Sequence, residues 1–257
     1  MGQFFIPPES IQGNLASIRG DQAHHILDVM RLKTGDKIQA FDGSGKIYQG
    51  KITSCAQRTL KIKIEQVLDQ PRTQEFRITL VQALLKKNKM DYVVEKATEL
   101  GVEAIIPVAT QRSIVKLDQK KQLSRKQRWQ RIAVEAAKQC GRTTIPEVKE
   151  IISWPQVLAG LANFDLRLCF ALHQAALPLQ DVLDKKDQAK GIVVFIGPEG
   201  DFTHQEVEQA QAAGCIAVSL GRLVLKSDTA GICALAMINY RFGSAASRRK
   251  SDEEKTS

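Results

Sequence analysis

No run of about 18 apolar residues occurs in the sequence, and Met1 to Pro8 offers neither a basic stretch nor a long apolar one, so membrane insertion and export are not expected. The five cysteines, Cys55, Cys140, Cys169, Cys215 and Cys233, are odd in number and none forms a CxxC pair. That excludes a disulfide framework and a zinc knuckle, and it fits a reducing, cytoplasmic compartment. The four histidines, His24, His25, His173 and His204, lack metal-ligand spacing, and no metal is expected. Neither GxxxxGK followed by Ser or Thr nor GxGxxG occurs, which argues against a phosphate-cradling NTPase and an ordinary dinucleotide site. No serine-triad signature, paired-carboxylate motif or internal repeat stands out.

What is present is enough for a substantial core and two domains, with 43% of the 257 residues hydrophobic and 25% charged. The 37 Lys and Arg against 28 Asp and Glu leave a net charge of +9, which suits a polyanionic partner, although many basic enzymes bind no nucleic acid.

Up to about Arg72 the pattern is one of short strands, with alternation in Lys61-Ile62-Lys63-Ile64 and a glycine-rich turn, Asp42-Gly43-Ser44-Gly45, between two apolar stretches. One helix interrupts it, beginning near Asp21 and carrying Ile26, Leu27 and Met30 toward a stop at Gly35. After the polar connector Asp69 to Thr73, strands alternate with helices, which predicts an α/β domain. Apolar runs at Ile78–Leu85, Ala104–Val108, Leu166–Leu172, Ile192–Ile196 and Ile216–Leu220 suit a parallel sheet covered on both faces. Three helices have readable ends: one from Asn88 to a cap at Gly101, one opened by the capping box Thr203 to Glu206 and stopped at Gly214, and one from Ser227-Asp228 to Gly243. Residues 244–257 carry no large apolar side chain and are expected to form a disordered tail.

In such a sheet ligands bind outside the carboxyl ends of the strands. Two loops there are unusual: Gly197-Pro198-Glu199-Gly200-Asp201 after Ile196, and Gly221 to Ala230 after Leu220. Glycines let a ligand approach the main chain, so a purine could be read by backbone groups, and Glu199 and Asp228 would favour a cation nearby. A lone Gly-Pro-x-Gly is more often an ordinary strand-to-helix turn than a ligand loop, and by itself proves little. From Arg112 to Arg142 ten bases face two acids, and Trp129, Ile132, Ala133, Ala136, Ala137 and Cys140 mark the buried side of a helix whose other side carries Arg128, Arg131, Glu135 and Lys138. A solvated helix face gives the same pattern as a phosphate-binding one.

Together these motifs resemble the bacterial ribosomal small-subunit (16S) RNA uridine N3-methyltransferase family, of the knotted SPOUT class. The agreement includes Gly197 to Gly200, Leu220-Gly221 through Leu225 to Asp228-Thr229-Ala230, then His25, Val29, Arg31 and Gly35, then Lys96 to Gly101, then Gln139 to Arg142 with Ile145-Pro146. The resemblance implies a PUA-like β-barrel for RNA (residues 1–72), a SPOUT domain with a trefoil knot (73–243), and a homodimer with active sites at the subunit interface. Knots are so rare that pattern reading alone would exclude one. The implied donor is S-adenosylmethionine, held by Leu172, Ile196, Gly197, Pro198, Glu199, Gly200, Leu220, Gly221, Leu225, Asp228, Thr229 and Ala230. The implied partner is ribosomal RNA, met by His25, Arg31, Arg112, Arg128 and Arg131. Two departures stand out: Asp201 where the family usually has a second glycine able to hold φ > 0, and Lys226-Ser227-Asp228 where Arg-Thr-Glu is common.

Uracil N3 lies on the Watson–Crick edge and carries a proton, so the target base must be unpaired or turned out, and a cation would stabilise its anion. The resemblance implies Arg142, in the matching motif Gln139 to Arg142, as that cation, with Glu99 the candidate for orienting it or taking the proton; a structural ion pair explains Glu99 equally well. Two rivals are a SPOUT enzyme acting on another nucleotide or a ribose 2′-hydroxyl, and a non-catalytic RNA-binding ribosome-assembly protein.

Overall fold

The computed structural model describes residues 4–253 apart from 57–58, 71–73, 87, 114–117, 174 and 187, with side chains described as far as residue 243. Lys116 of the basic stretch and residues 254–257 of the expected tail lie outside the described residues. The chain divides into two compact units, Met1–Thr73 with Val134–Ile145, and Gln74–Ala133 with Pro146–Ser257. Sequence pattern alone places 134–145 with the second part.

The first unit is a six-stranded sheet in the order β1-β4-β5-β6-β3-β2, built from β1 (Phe4–Phe5), β2 (Ile11–Gln12), β3 (Leu15–Arg19), β4 (Lys37–Phe41), β5 (Lys46–Ala56) and β6 (Thr59–Asp69). Alternation decides which face is inside: Leu60, Ile62 and Ile64 are buried, whereas Lys61 and Lys63 point to solvent. The expected helix forms as α1 (Gly20–His24) running into a single π turn, His25–Val29, marked by the bond from Met30 N to the His25 carbonyl at 3.0 Å. The wider turn rotates the residues after it, so Ile26 is buried while Val29 and Met30 are exposed.

Between β4 and β5 the predicted turn is tied from within. The Asp42 carboxylate accepts from Ser44 N at 2.8 Å, from the Ser44 hydroxyl at 2.7 Å and from Tyr48 OH at 2.9 Å. The turn is also paired with the segment after the basic helix, Gly45 N donating to the Thr143 carbonyl at 3.2 Å and Ile145 N to the Gly43 carbonyl at 3.0 Å. Gly43 has φ +84°, and a Cβ there would lie 2.9 Å from Ile145 Cδ1, so this position requires glycine.

In the second unit the predicted runs form strands of one wholly parallel sheet, in the order β10-β8-β7-β13-β11-β14-β12, with β9 also on β8. These are β7 (Arg77–Ala83), β8 (Ala104–Ala109), β9 (Glu147–Val148), β10 (Ile152–Ser153), β11 (Leu166–Phe170), β12 (Leu177–Pro178), β13 (Gly191–Ile196) and β14 (Ile216–Ser219). The helices after these strands are α2 (Lys89–Glu99), α3 (Gln119–Cys140, whose last turns belong to the first unit), α4 (Trp154–Ala159), α5 (Leu179–Lys185) and α6 (His204–Ala212), each leading to a further strand, and the terminal α7 (Ser227–Glu253). α2 buries Met90, Val93, Val94 and Ala97 and gives way to Gly101 at φ +83°. α6 opens on the reciprocal Thr203–Glu206 capping box. On α3, Trp129, Ala133, Ala136 and Ala137 are buried as expected, but Cys140, in the last turn, is exposed. α7 buries Leu235, Ile238 and Phe242, then runs past Gly243, its expected end, to Glu253. A glycine costs a helix only about 1 kcal/mol relative to alanine, and the following Ser-Ala-Ala-Ser-Arg-Arg-Lys favours continuation. No helix among the described residues is long and apolar enough to cross a membrane.

Candidate functional site

Strand order builds the site. β11 lies between β13 and β14, and Phe170 is in register with both Ile196 and Val218, so the loops leaving all three strands emerge side by side at the carboxyl rim. They enclose one cleft. Of the residues expected to hold a cofactor, Leu172, Ile196, Gly197, Pro198, Glu199, Leu220, Gly221, Leu225 and Ala230 line it. Gly200, Asp228 and Thr229 do not; the Asp228 carboxylate instead accepts from Thr229 N at 3.1 Å in the first turn of α7.

The turn 197–201 is fixed at each position. Glu199 Oε1 accepts from Lys89 Nζ at 3.0 Å and from Lys86 N at 3.3 Å. Burial pushes this carboxyl up, but the Lys89 ion pair and the N–H donors outweigh it and hold it below its ordinary value. The cation beside Glu199 is therefore the chain's own. Arg112 Nη1 donates to the Gly200 carbonyl at 2.6 Å and to that of Phe202 at 3.4 Å. Asp201, the departure from the family pattern, has φ +59°, a left-handed conformation that aspartate tolerates better than most residues. Its Oδ2 accepts from Leu172 N at 2.7 Å. A Cβ on Gly197 would lie 3.0 Å from Asp201 Oδ1 and 3.1 Å from Phe202 N, so no larger residue fits without displacement.

Sequence reasoning missed several lining residues. Phe170 and Ala171, and Val218 and Ser219, are strand ends that join the site through register. Leu223 and Val224 are 81% and 71% exposed, and their position in an apolar loop run was the available signal. Glu199 and Asp201 are the charged residues of the lining, and no Lys or Arg lines it among the described residues.

The remaining expected residues lie elsewhere. Glu99 is at the end of α2, exposed, and bound to Lys96 Nζ at 2.8 Å. Arg142 belongs to the first unit, where its Nε donates to Thr144 Oγ1 at 3.0 Å within the segment held by Gly43 and Gly45. His25 opens the π turn and Arg31 follows it; both are exposed, Arg31 with φ +57°. Arg131 is exposed on α3, and Arg128 is paired with Asp91 at 2.5 Å. His173 and His204 stack on one another, ring centroids 4.9 Å apart, and no cluster of metal-ligating side chains occurs among the described residues.

Comparison with known proteins gives the same direction. Residues 72–239 match the family model described as RNA methyltransferase domain, and residues 18–65 that of RNA methyltransferase PUA domain. The chain is 29% identical to ribosomal RNA small subunit methyltransferase E of Bacillus subtilis, covering 88% of this chain and 90% of that one. It is 31% identical to the protein of that name from Synechocystis, covering 91% and 76%. Among solved structures, ribosomal RNA small subunit methyltransferase E from Neisseria gonorrhoeae bound to S-adenosyl methionine is 31% identical, with a TM-score of 0.82 and coverage of 93% and 97%. A methyltransferase from Legionella pneumophila in complex with that cofactor is 30% identical, with a TM-score of 0.82 and coverage of 93% and 96%.

Proposed function

The chain belongs to the bacterial ribosomal RNA small subunit methyltransferase family, and from that premise we propose that its cleft seats S-adenosylmethionine for methylation of N3 of a uridine in small-subunit ribosomal RNA. It is an S-adenosylmethionine-dependent ribosomal RNA methyltransferase. The observation that carries the reading is the meeting of the turns after Ile196 and Leu220 in one cleft. The lining suits this cofactor: glycines that admit a ligand to the main chain, apolar Leu223, Val224 and Leu225 for a purine, and, with Glu199 already paired to Lys89, the Asp201 carboxylate as the acidic charge on the side of a cationic sulfonium. A phosphate-bearing nucleotide would find no basic side chain among the described residues of that lining.

When bound, the cofactor supplies an activated methyl group on sulfur. The chain's task is then placement, since in-line transfer depends on holding two reactants together. Leu172, Gly197 and Leu225 are the residues we assign to seating the donor. Arg142 is proposed to stabilise the anion left when uracil N3 loses its proton, and Glu99 is the proposed acceptor of that proton. His25, Arg31, Arg112, Arg128 and Arg131 are proposed to meet RNA phosphates, Arg112 and Arg128 in addition to the contacts they already make. The trefoil knot of the SPOUT class, closure of the first sheet into a PUA-like barrel, and a cytoplasmic location belong to the same reading. So does a homodimer with active sites at the subunit interface, supported by large side chains exposed to solvent on α7, Met237 at 48% and Tyr240 at 79%.

Nucleoside mass spectrometry of small-subunit ribosomal RNA from cells with and without the gene tests reaction and acceptor together. Loss of one N3-methyluridine is expected. Loss of a different methylated nucleoside, or of a ribose methyl, would move the acceptor elsewhere, and unchanged RNA would leave an RNA-binding assembly protein.

A further inference from the structure

Gln82 lies near the end of β7, paired in register with Ile196, and is fully buried among apolar neighbours along the chain, Leu80, Val81, Ala83 and Leu84. A buried amide is costly unless its groups are bonded, and leucine or methionine would fill the same volume at no such cost. Its Nε2 donates to the Ala83 carbonyl at 3.2 Å and to Ser227 Oγ at 3.0 Å. Ser227, the first residue of α7 and 7% exposed, donates in turn to the Gly197 carbonyl. A hydroxyl has one proton, and Ser227 gives it to Gly197, so it must accept from the amide. That fixes which end of the glutamine is which and leaves Oε1 without a partner among the described residues. Even the glycine of α7 that faces it, Gly231, offers no donor: a Cβ there would lie 3.4 Å from Oε1.

The amide is thus present for what its donor end does. Gly197 begins the loop after β13, Ser227 ends the loop after β14, and both line the cleft. We infer that Gln82 and Ser227 are cofactor-positioning residues, a buried clip that aims the Gly197 carbonyl and holds the two loops at a fixed separation before S-adenosylmethionine binds. This rests on the cleft being the cofactor's seat. Its effect is preorganisation: loops already in place need not be ordered by the ligand.

Titrating S-adenosylmethionine into the full chain by calorimetry, with steady-state kinetics alongside, tests it in Ser227→Ala, Ser227→Thr and Gln82→Met. Losing the clip should raise the cofactor's Kd and KM by about tenfold in Ser227→Ala and Gln82→Met, the scale of one hydrogen bond to a buried group. The kcat at saturating cofactor and the KM for RNA should stay within about twofold, because only cofactor binding has changed. Ser227→Thr keeps the hydroxyl and should bind as the unmodified chain does. A merely structural role would lower the active fraction and kcat while leaving the cofactor's KM in place, and that result would overturn the inference. Undiminished affinity in Ser227→Ala, or equal losses in Ser227→Ala and Ser227→Thr, would do the same. If the unmodified chain binds no cofactor, the cofactor reading falls with it; binding there with equal binding by Ser227→Ala removes the clip alone.

Discussion

Asp201 reaches from the turn after β13 to the loop after β11, its Oδ2 accepting the backbone N–H of Leu172 at 2.7 Å, while its own backbone is left-handed at φ +59°. The residue therefore does two separable things. Asp201→Gly preserves the backbone and removes the carboxylate, so its thermal midpoint should barely move while the Kd for S-adenosylmethionine rises several-fold. Asp201→Asn, which tolerates the same backbone and keeps an acceptor, should sit closer to the unmodified chain. Asp201→Ala should lose affinity and in addition about 1 kcal/mol of stability, because a Cβ without a compensating polar group strains this conformation. Thermal unfolding and calorimetry on the three variants separate the two effects.

Arg142→Ala should abolish turnover while leaving cofactor affinity nearly intact, measured by single-turnover methylation and calorimetry. A variant with normal methylation would remove Arg142 from the chemistry. Gly43→Ala should also depress turnover without touching the arginine, since its Cβ would press on Ile145 in the segment that carries Arg142.

The basic residues should divide into two groups. Neutralising Arg31 or Arg131, both exposed, should weaken RNA binding and reduce the slope of log K against log salt by about 1 each. Arg112→Ala should weaken RNA binding and in addition raise the cofactor's Kd, since Arg112 Nη1 holds the Gly200 carbonyl at 2.6 Å. Filter-binding across a salt series with a cofactor titration in parallel checks the division.

Burial and the Asp42 carboxylate push Tyr48 up from 10.0 to about 12. The folded chain therefore keeps this proton to higher pH than the unfolded chain, so the contribution is complete below pH 10.0 and is lost as pH rises towards about 12. Burial pushes Asp42 up as well, but bonds from Ser44 and Tyr48 outweigh it and hold the carboxyl below 3.8, so its contribution is present above that value and is lost as pH falls through the lowered one. Urea unfolding against pH should show Tyr48→Phe flattening the alkaline limb and costing about 1 kcal/mol at neutral pH.

Tyr240→Asp on α7 should shift the assembly towards monomer in light scattering and lower methylation with it, if the open apolar face of α7 is where two copies meet. A variant of unchanged mass in solution removes that face from the interface.

What could be read in advance was what local chemistry decides. Five apolar runs became parallel strands because short, uniformly aliphatic stretches fit a sheet covered on both sides, and Thr203 and Glu206 announced a helix start by spacing alone. The cleft came with them, because loops after adjacent parallel strands share one rim. What escaped depended on distant partners. Gln82 inside Ile78–Leu85 looks like any interruption of an apolar run, and its meaning appears only when Ser227, far along the chain, arrives beside it. Glu199 gave no sign that Lys89 would neutralise it, nor Arg112 that it would brace Gly200. The π turn after His24 displaced Met30 by a register change that no periodicity of 3.6 contains.

The first unit is discontinuous, leaving off at Thr73 and resuming at Val134. During translation its sheet emerges first, yet the strap that holds Gly43 and Gly45 is polymerised only after some of the second unit has been made. The smaller unit therefore matures late despite being encoded early, and a fragment cut at the connector would lack Arg142 together with the backbone partners of the Asp42–Gly45 turn.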